Sequence, residues 1–165
     1  MVKWPRLLLL AVAGALAAWA WVVLHPSPER LIRKQLDGVA RAASFGPSQG
    51  VLSKLSSAEN LADFFSTNVD VKIDVPGHQE HRLAGREEIQ QAALALRASV
   101  QGVAVSFPDV TVIVNADQES AIADVTLQVK IAGEQDVIVQ EVKVTLRKIN
   151  GPWLIVKVET VRTLQ

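Results

Sequence analysis

Residues 103–161 read VAVSFPDVTVIVNADQESAIADVTLQVKIAGEQDVIVQEVKVTLRKINGPWLIVKVETV, and this stretch decides the fold. It divides into four runs, 103–114, 121–131, 137–149 and 153–161, in which apolar and polar side chains alternate with the two-residue period of a strand that buries one face. The connections NADQES, AGEQD and Asn150-Gly151-Pro152 are short, which requires antiparallel neighbours. In the second run Ala121, Ala123, Val125, Leu127, Val129 and Ile131 share the inward phase; in the third, Ile138, Val142, Val144 and Leu146 do, with Gln140 as the one polar inward entry in mid-strand. The first run changes phase: Val103, Val105 and Phe107 are odd, Val110, Val112 and Val114 even. A one-residue slip turns every later side chain to the other face, so a bulge or bend at 107–109, where Pro108 sits, is needed to keep one face inward. A strongly curved sheet is the consequence. Its outer face carries Asp124, Thr126, Lys130, Glu141, Lys143 and Arg147, a mixture of signs suited to cross-strand ion pairs in solvent or to a polar partner surface.

Upstream, Ser27 followed by Pro28 makes an N-cap with proline at the first helical position, and Ile32, Leu36, Val39, Ala40 and Ala43 mark one helix face, ended by Phe45-Gly46-Pro47. A second helix is expected with Ser57 as its cap and Leu61, Phe64 and Phe65 as its buried stripe. Val69, Val71, Ile73 and Val75 then alternate with Asp70, Lys72 and Asp74 as a half-buried strand, and Pro76-Gly77 turns it towards a short return strand near His81 to Leu83. Gly85 opens a third helix whose early acids, Glu87 and Glu88, suit the positive end of the helix dipole. Trp153, just after a Gly-Pro turn, reads as a plug of the core or of its rim.

The chain has 165 residues, 17 basic and 17 acidic, with 49% apolar side chains, no Cys and no Tyr. The absence of Cys excludes a disulfide scaffold, a thiolate metal site, a Cys nucleophile and a lipidated cysteine. Residues 7–24, LLLLAVAGALAAWAWVVL, carry no charge and as a helix would span about 27 Å, enough to cross a bilayer core. Lys3 and Arg6 precede this run, and Trp4, Trp19 and Trp21 flank its ends as interfacial anchors do. The division expected is 1–25, a cytoplasmic stub and transmembrane anchor, and 26–165, a single domain outside the cytoplasm on the inner (cytoplasmic) membrane. The competing reading is a cleaved signal peptide, since Ala18-Trp19-Ala20 fits a small-x-small site. Gly14 with Ala18 and Ala11 with Ala15 are spacings that would let two such helices pack as a homodimer. Without residues 1–25 the formal charge is −2, and there is no concentrated basic face to serve as a nucleic-acid footprint.

Helix, helix, short hairpin, a helix opening Gly85-Arg86-Glu87-Glu88-Ile89, then a four-strand curved meander ending Asn150-Gly151-Pro152-Trp153-Leu154-Ile155 resembles the nuclear transport factor 2-like superfamily over about residues 28–165. The resemblance implies an α+β cone: about three helices packed on a curved, mostly antiparallel sheet, here behind an N-terminal transmembrane helix. The superfamily includes ketosteroid isomerases and polyketide cyclases as well as non-catalytic scaffolds, some of them envelope-complex subunits with one membrane helix, so the fold does not settle function.

By the same resemblance Asp74 falls where ketosteroid isomerases carry an Asp base. An enzyme of that kind needs an oxyanion stabiliser as its larger contribution; this chain has no Tyr and an almost wholly apolar inward face. His78, Glu80 and His81 invite a metal reading, but imidazoles three apart point to opposite faces of a strand, and no metal or other cofactor is expected. His81 beside Arg82 at a cavity mouth would suit a small anionic ligand. The candidate ligand-binding residues are therefore Asp74, His81, Arg82 and Gln140, with no catalytic residue assigned. The expected partners are the bilayer through residues 7–24, an envelope protein or second copy, and a small hydrophobic ligand. A membrane-anchored, non-catalytic binding or scaffold domain is the function expected; a small-molecule isomerase, cyclase or hydrolase of the polyketide-cyclase type is the alternative.

Overall fold

The computed structural model describes residues 12, 14–16, 27–74 and 81–161. Most of the apolar run 7–24, the boundary at 25–26, and Val75, His78 and Glu80 lie outside these residues. Among the described residues no helix is long and apolar enough to cross a membrane; Val12, Gly14, Ala15 and Leu16 are helical and exposed.

Helix α1, Pro28–Ala43, starts as its sequence dictates: the Ser27 hydroxyl accepts from the Arg30 N–H (3.4 Å), Pro28 occupies the first turn, and Ile32, Leu36 and Val39 are buried. Helix α2, Val51–Ala62, begins at Gly50, not at Ser57. Ser57 lies inside the helix, where its hydroxyl donates to the Lys54 carbonyl (3.1 Å), the back-bonding by which a serine is tolerated in mid-helix. The buried stripe of α2 is correspondingly Ala58 and Ala62, with Leu61 half-buried, while Phe65 already belongs to strand β1, Phe65–Ile73. Strand β2, His81–Ala84, returns antiparallel to β1. Gly85 then turns into helix α3, Arg86–Ser99, at φ 91°, a backbone conformation that a side chain disfavours; its N–H donates to the Val69 carbonyl (2.7 Å). Glu88 reaches back to accept the Ala84 N–H (2.7 Å), so the acid expected to favour the helix dipole also ties the first turn of α3 to the end of β2.

Strands β3 (Val103–Val114), β4 (Ser120–Ile131), β5 (Val137–Lys148) and β6 (Trp153–Thr160) form the expected meander. The six strands lie in the order β2-β1-β6-β5-β4-β3, all antiparallel except β1 with β6. The predicted break in β3 is present: Ser106 pairs with Gln128 and Asp109 with Thr126, so Phe107 and Pro108 together oppose Leu127. With that extra residue both halves keep their apolar side chains on the inner face, Val103 buried and Val110, Val112 and Val114 half-buried. Ala121, Ala123, Val125, Val142, Val144, Leu146 and Ile155 complete the core with α1, and Trp153 plugs it at 5% exposure while its carbonyl accepts from the Gln35 amide (2.7 Å).

Ile138 departs from the inward expectation. It keeps the inner phase but is 45% exposed. Thr160, the end of β6, pairs with Val142, so among the described residues no strand flanks β5 on that side from Val137 to Gln140. On the outer face Asp124, Lys143, Glu159 and Lys72 are neighbours across β4, β5, β6 and β1, alternating in sign, as the mixed composition of that face suggested.

Candidate functional site

The pairing register shows which predicted residues share a place. Ile73 is opposite His81 in β2, Lys72 and Val71 run beside Glu159 and Val158 of β6, and Thr160 is opposite Val142. The inner face at this end of the sheet is thus the row His81, Ile73, Thr160, Val142, Val125, followed by the pair Gln140 and Leu127 and then by Ile138 with Val129. Here the sheet outruns its buried core: Phe107, Leu127 and Val158 are half-buried, and Ile73 and Ile138 are 37% and 45% exposed. The result is an apolar mouth.

Asp74 stands at its edge. β1 ends at Ile73, and the Asp74 N–H donates to the Thr160 hydroxyl (3.0 Å), which ties the end of β1 to the end of β6. His81 is exposed at the start of β2, in the row of Thr160. Gln140 is half-buried in the inner phase, and its amide donates to the Glu141 carbonyl at 3.3 Å. Of the three, only Asp74 touches Thr160; His81 lies opposite Ile73, one strand further along the row, and Gln140 lies opposite Leu127 in the next row.

Arg82 does not join them. Successive strand residues face opposite sides, so with His81 on the inner face Arg82 lies on the outer one, where Nε and Nη2 donate to the two oxygens of Asp70 (2.8 and 3.3 Å). That hydrogen bond, with the charges of Arg82, Lys72 and Lys157, holds the Asp70 carboxyl below its ordinary range against the opposing pull of burial. An anion site made jointly by His81 and Arg82 is excluded by this geometry. Among the described residues no three His, Asp or Glu side chains converge to hold a metal.

Two open clefts flank the outer side of β1, where the β1–β6 ladder slips between Phe65 and Asp70. One, of about 610 Å³, runs past Asp70, Arg82, Arg86 and Glu88. Most of its charges are committed: Arg82 to Asp70, Arg86 to the Phe65 carbonyl (2.9 and 2.6 Å) and, at 3.6 Å, to Asp63, and Glu88 to the Ala84 N–H, while Glu87 also lines it. The other, of about 590 Å³, is lined by Ser66, Asn68, Arg147, Lys148 and Asn150.

Arg97 carries no signal in the sequence. It is 2% exposed, its guanidinium donating to Ser57 Oγ (3.1 Å), the Ala93 carbonyl (3.1 Å) and the Ala42 carbonyl (2.7 Å), 5.1 Å from the centre of the Phe45 ring. It joins α1, α2 and α3 without a carboxylate partner, and burial lowers its pKa from the usual arginine value. Its role is to fasten the helices that cover the sheet.

No protein-family model matches the sequence, and no curated protein matches it either. Solved structures do match in shape. A nuclear transport factor 2-like protein with a cystatin-like fold from Novosphingobium aromaticivorans is 21% identical, covering 88% of this chain and 86% of its own with a TM-score of 0.58. A cystatin-like protein of unknown function from Nostoc punctiforme is 17% identical over 82% of this chain and 92% of that one, TM-score 0.60. A scytalone dehydratase-like protein from Novosphingobium aromaticivorans is 14% identical over 82% and 84%, TM-score 0.61. Helix order, the parallel β1–β6 pairing, the bulged meander and these likenesses agree: the chain has the nuclear transport factor 2-like fold.

Proposed function

We propose that this chain is a single-pass protein of the inner membrane whose cone domain, held outside the cytoplasm, is a non-catalytic binding or scaffold module that takes an apolar ligand or the apolar side chains of a partner protein at the mouth of the cone. The observation that carries the reading is the composition of that mouth: Phe107, Leu127 and Val158 half-buried, Ile73 and Ile138 exposed, and, among the described residues, Thr160, Gln140, Asp74 and His81 as hydrogen-bonding groups at its border. An apolar wall with a few polar groups at its border is how proteins hold small hydrophobic molecules or a partner's side chains. The uncharged run 7–24 supports the anchor.

A single-cysteine experiment tests it, because the chain has no Cys of its own. Ile138→Cys carries a photo-crosslinker into the mouth, and Ile113→Cys, 56% exposed on the outer face of β3, is the control. Irradiation in native membranes is expected to give a discrete adduct at 138, of lipid or protein mass by intact mass spectrometry, and none at 113. No adduct at 138, or equal adducts at both, overturns the binding reading. The second reading, an isomerase or cyclase, is supported by Asp74 at the Thr160 hydroxyl; an adduct at 138 seen only after Asp74→Asn or His81→Ala would mean that the ligand is normally turned over, and would favour it.

A further inference from the structure

The exposed strip of α1 has a composition that the mouth does not explain. Arg30, Lys34, Asp37 and Arg41 follow one another at helical spacing along the solvent side of the helix, opposite the buried Ile32, Leu36 and Val39. Arg33, on one flank, is fastened to the Val110 carbonyl (2.6 Å), whereas among the described residues the side chains of Arg30, Lys34 and Arg41 make no hydrogen bond or ion pair. Asp37 is the one acid within the strip, and Glu29 lies to its side. Leu31, on the other flank, is 40% exposed in the first turn.

This strip begins close to the uncharged run. Only His25, Pro26 and Ser27 separate residue 24 from Pro28, and three residues span at most about 10 Å even when fully extended. A domain tethered so tightly keeps its first helix within reach of the lipid head groups, where exposed Lys and Arg side chains are drawn to negative lipid and an aliphatic neighbour such as Leu31 has an apolar layer to enter. Arg30 and Arg41 are 11 residues apart, so the cations are spread over about 16 Å of helix at 1.5 Å per residue, which suits a helix lying along a surface.

We propose that the exposed strip of α1 lies along the surface of an anionic bilayer, the membrane into which residues 7–24 insert, with Arg30, Lys34 and Arg41 on the head groups and Leu31 at the interface. This rests on the membrane-anchored reading above and adds the orientation: the sheet's outer face, on the far side of the core from α1, is turned away from the lipid, and α1 is not the surface that meets a protein partner.

The test uses the full chain reconstituted into vesicles of phosphatidylcholine alone or with phosphatidylglycerol. An environment-sensitive dye is placed at Leu31→Cys or, as control, at Ile113→Cys. The dye at 31 is expected to shift to the blue when phosphatidylglycerol is present, to lose that shift in high salt, and to lose it in the double variant Arg30→Glu/Lys34→Glu, while the dye at 113 does not respond. Circular dichroism of the double variant checks that the fold is kept, as expected for two side chains without partners; if it is not, Lys34→Gln with the same readout takes its place and is expected to reduce the shift. Chains that float with both kinds of vesicle but show no lipid-dependent shift at 31 overturn the orientation and leave the anchor standing. Chains that do not float with either overturn both.

Discussion

Arg97 offers the sharpest test of how the helices are held over the sheet. Its truncation to Ala would leave three acceptors to find new partners. Ser57 Oγ already donates to the Lys54 carbonyl, and the Ala93 carbonyl retains its place in α3, so each recovers at small cost. The Ala42 carbonyl, in the last turn of α1, loses a 2.7 Å charge-assisted hydrogen bond, worth about 1–3 kcal/mol. Loss of the guanidinium above Phe45 adds about 1–2 kcal/mol at a site shielded from water, and the space vacated among three helices adds more. Relief of the burial that lowers the Arg97 pKa acts in the opposite direction. The balance is a destabilisation of about 3–4 kcal/mol for Arg97→Ala. Arg97→Lys should cost about 2–3 kcal/mol, because a single ammonium cannot serve acceptors on three helices. Arg97→Met, which fills the space and removes the buried charge, should cost about 1 kcal/mol or less. Urea unfolding of the full chain in mild detergent, followed by circular dichroism, reads the order directly as midpoint shifts at constant slope. If Arg97→Lys is as stable as wild type, or Arg97→Ala falls within 1 kcal/mol of it, the guanidinium does not fasten the helices and the reasoning fails.

Gly38→Ala would place a methyl 2.7 Å from the Phe64 ring, so despite the better helix propensity of Ala it should destabilise by about 1–3 kcal/mol, read as a lowered unfolding midpoint. Val125→Asp, at a position 1% exposed, should prevent folding, whereas Leu52→Lys, at 82% exposure, should change stability by less than about 0.5 kcal/mol; both are read by near-ultraviolet circular dichroism and urea titration. The Asp70 carboxyl, lowered first by its hydrogen bond from Arg82, and the Asp117 carboxyl, lowered by the Ser120 hydroxyl and the N–H groups of Glu119 and Ser120, should titrate below an ordinary aspartate in carboxyl-detected NMR. Because both folded values are depressed, their support is complete above the unfolded value of about 4 and is lost as pH falls below it through the folded values; Arg82→Gln should bring the Asp70 titration back towards normal. Intact mass of the protein recovered from membranes should retain residues 1–25, and a mature chain starting at Trp21 would replace the anchor with a cleaved signal.

Strand alternation makes part of this region legible, and the gaps have definite causes. Phase singles out Gln140, the family resemblance Asp74, and the neighbourhood of Arg82 singles out His81; in the structure Gln140 lies opposite Leu127, Asp74 bonds to Thr160 and His81 lies opposite Ile73. Arg82 was grouped with His81 because they are adjacent in the chain, although adjacency in a strand is what separates two side chains onto opposite faces. Thr160 went unnoticed because it lies at the end of the last strand, where only the pairing with Val142 and the approach of Asp74 show what it faces. Serine before a hydrophobic run signals a cap at Ser57, yet the helix extends about two further turns to Gly50 and uses that hydroxyl to receive Arg97.

Local patterning determined the elements of this chain. The period of two in residues 103–161, the phase change around Pro108, the Ser27-Pro28 start of α1 and the glycine before α3 each act through backbone geometry within a few residues, so they can be read without knowing what lies opposite. Tertiary structure alone decided which side chains meet: that β1 runs parallel to β6 and leaves a slip beside Asn68, that Ile138 is uncovered although it faces inward, and that an arginine on an outwardly ordinary helix is the buried link among three. These depend on contacts between residues tens of positions apart. Burial and hydrogen-bond partners at such separations are set by how whole elements pack, and no local repeat in the sequence encodes them.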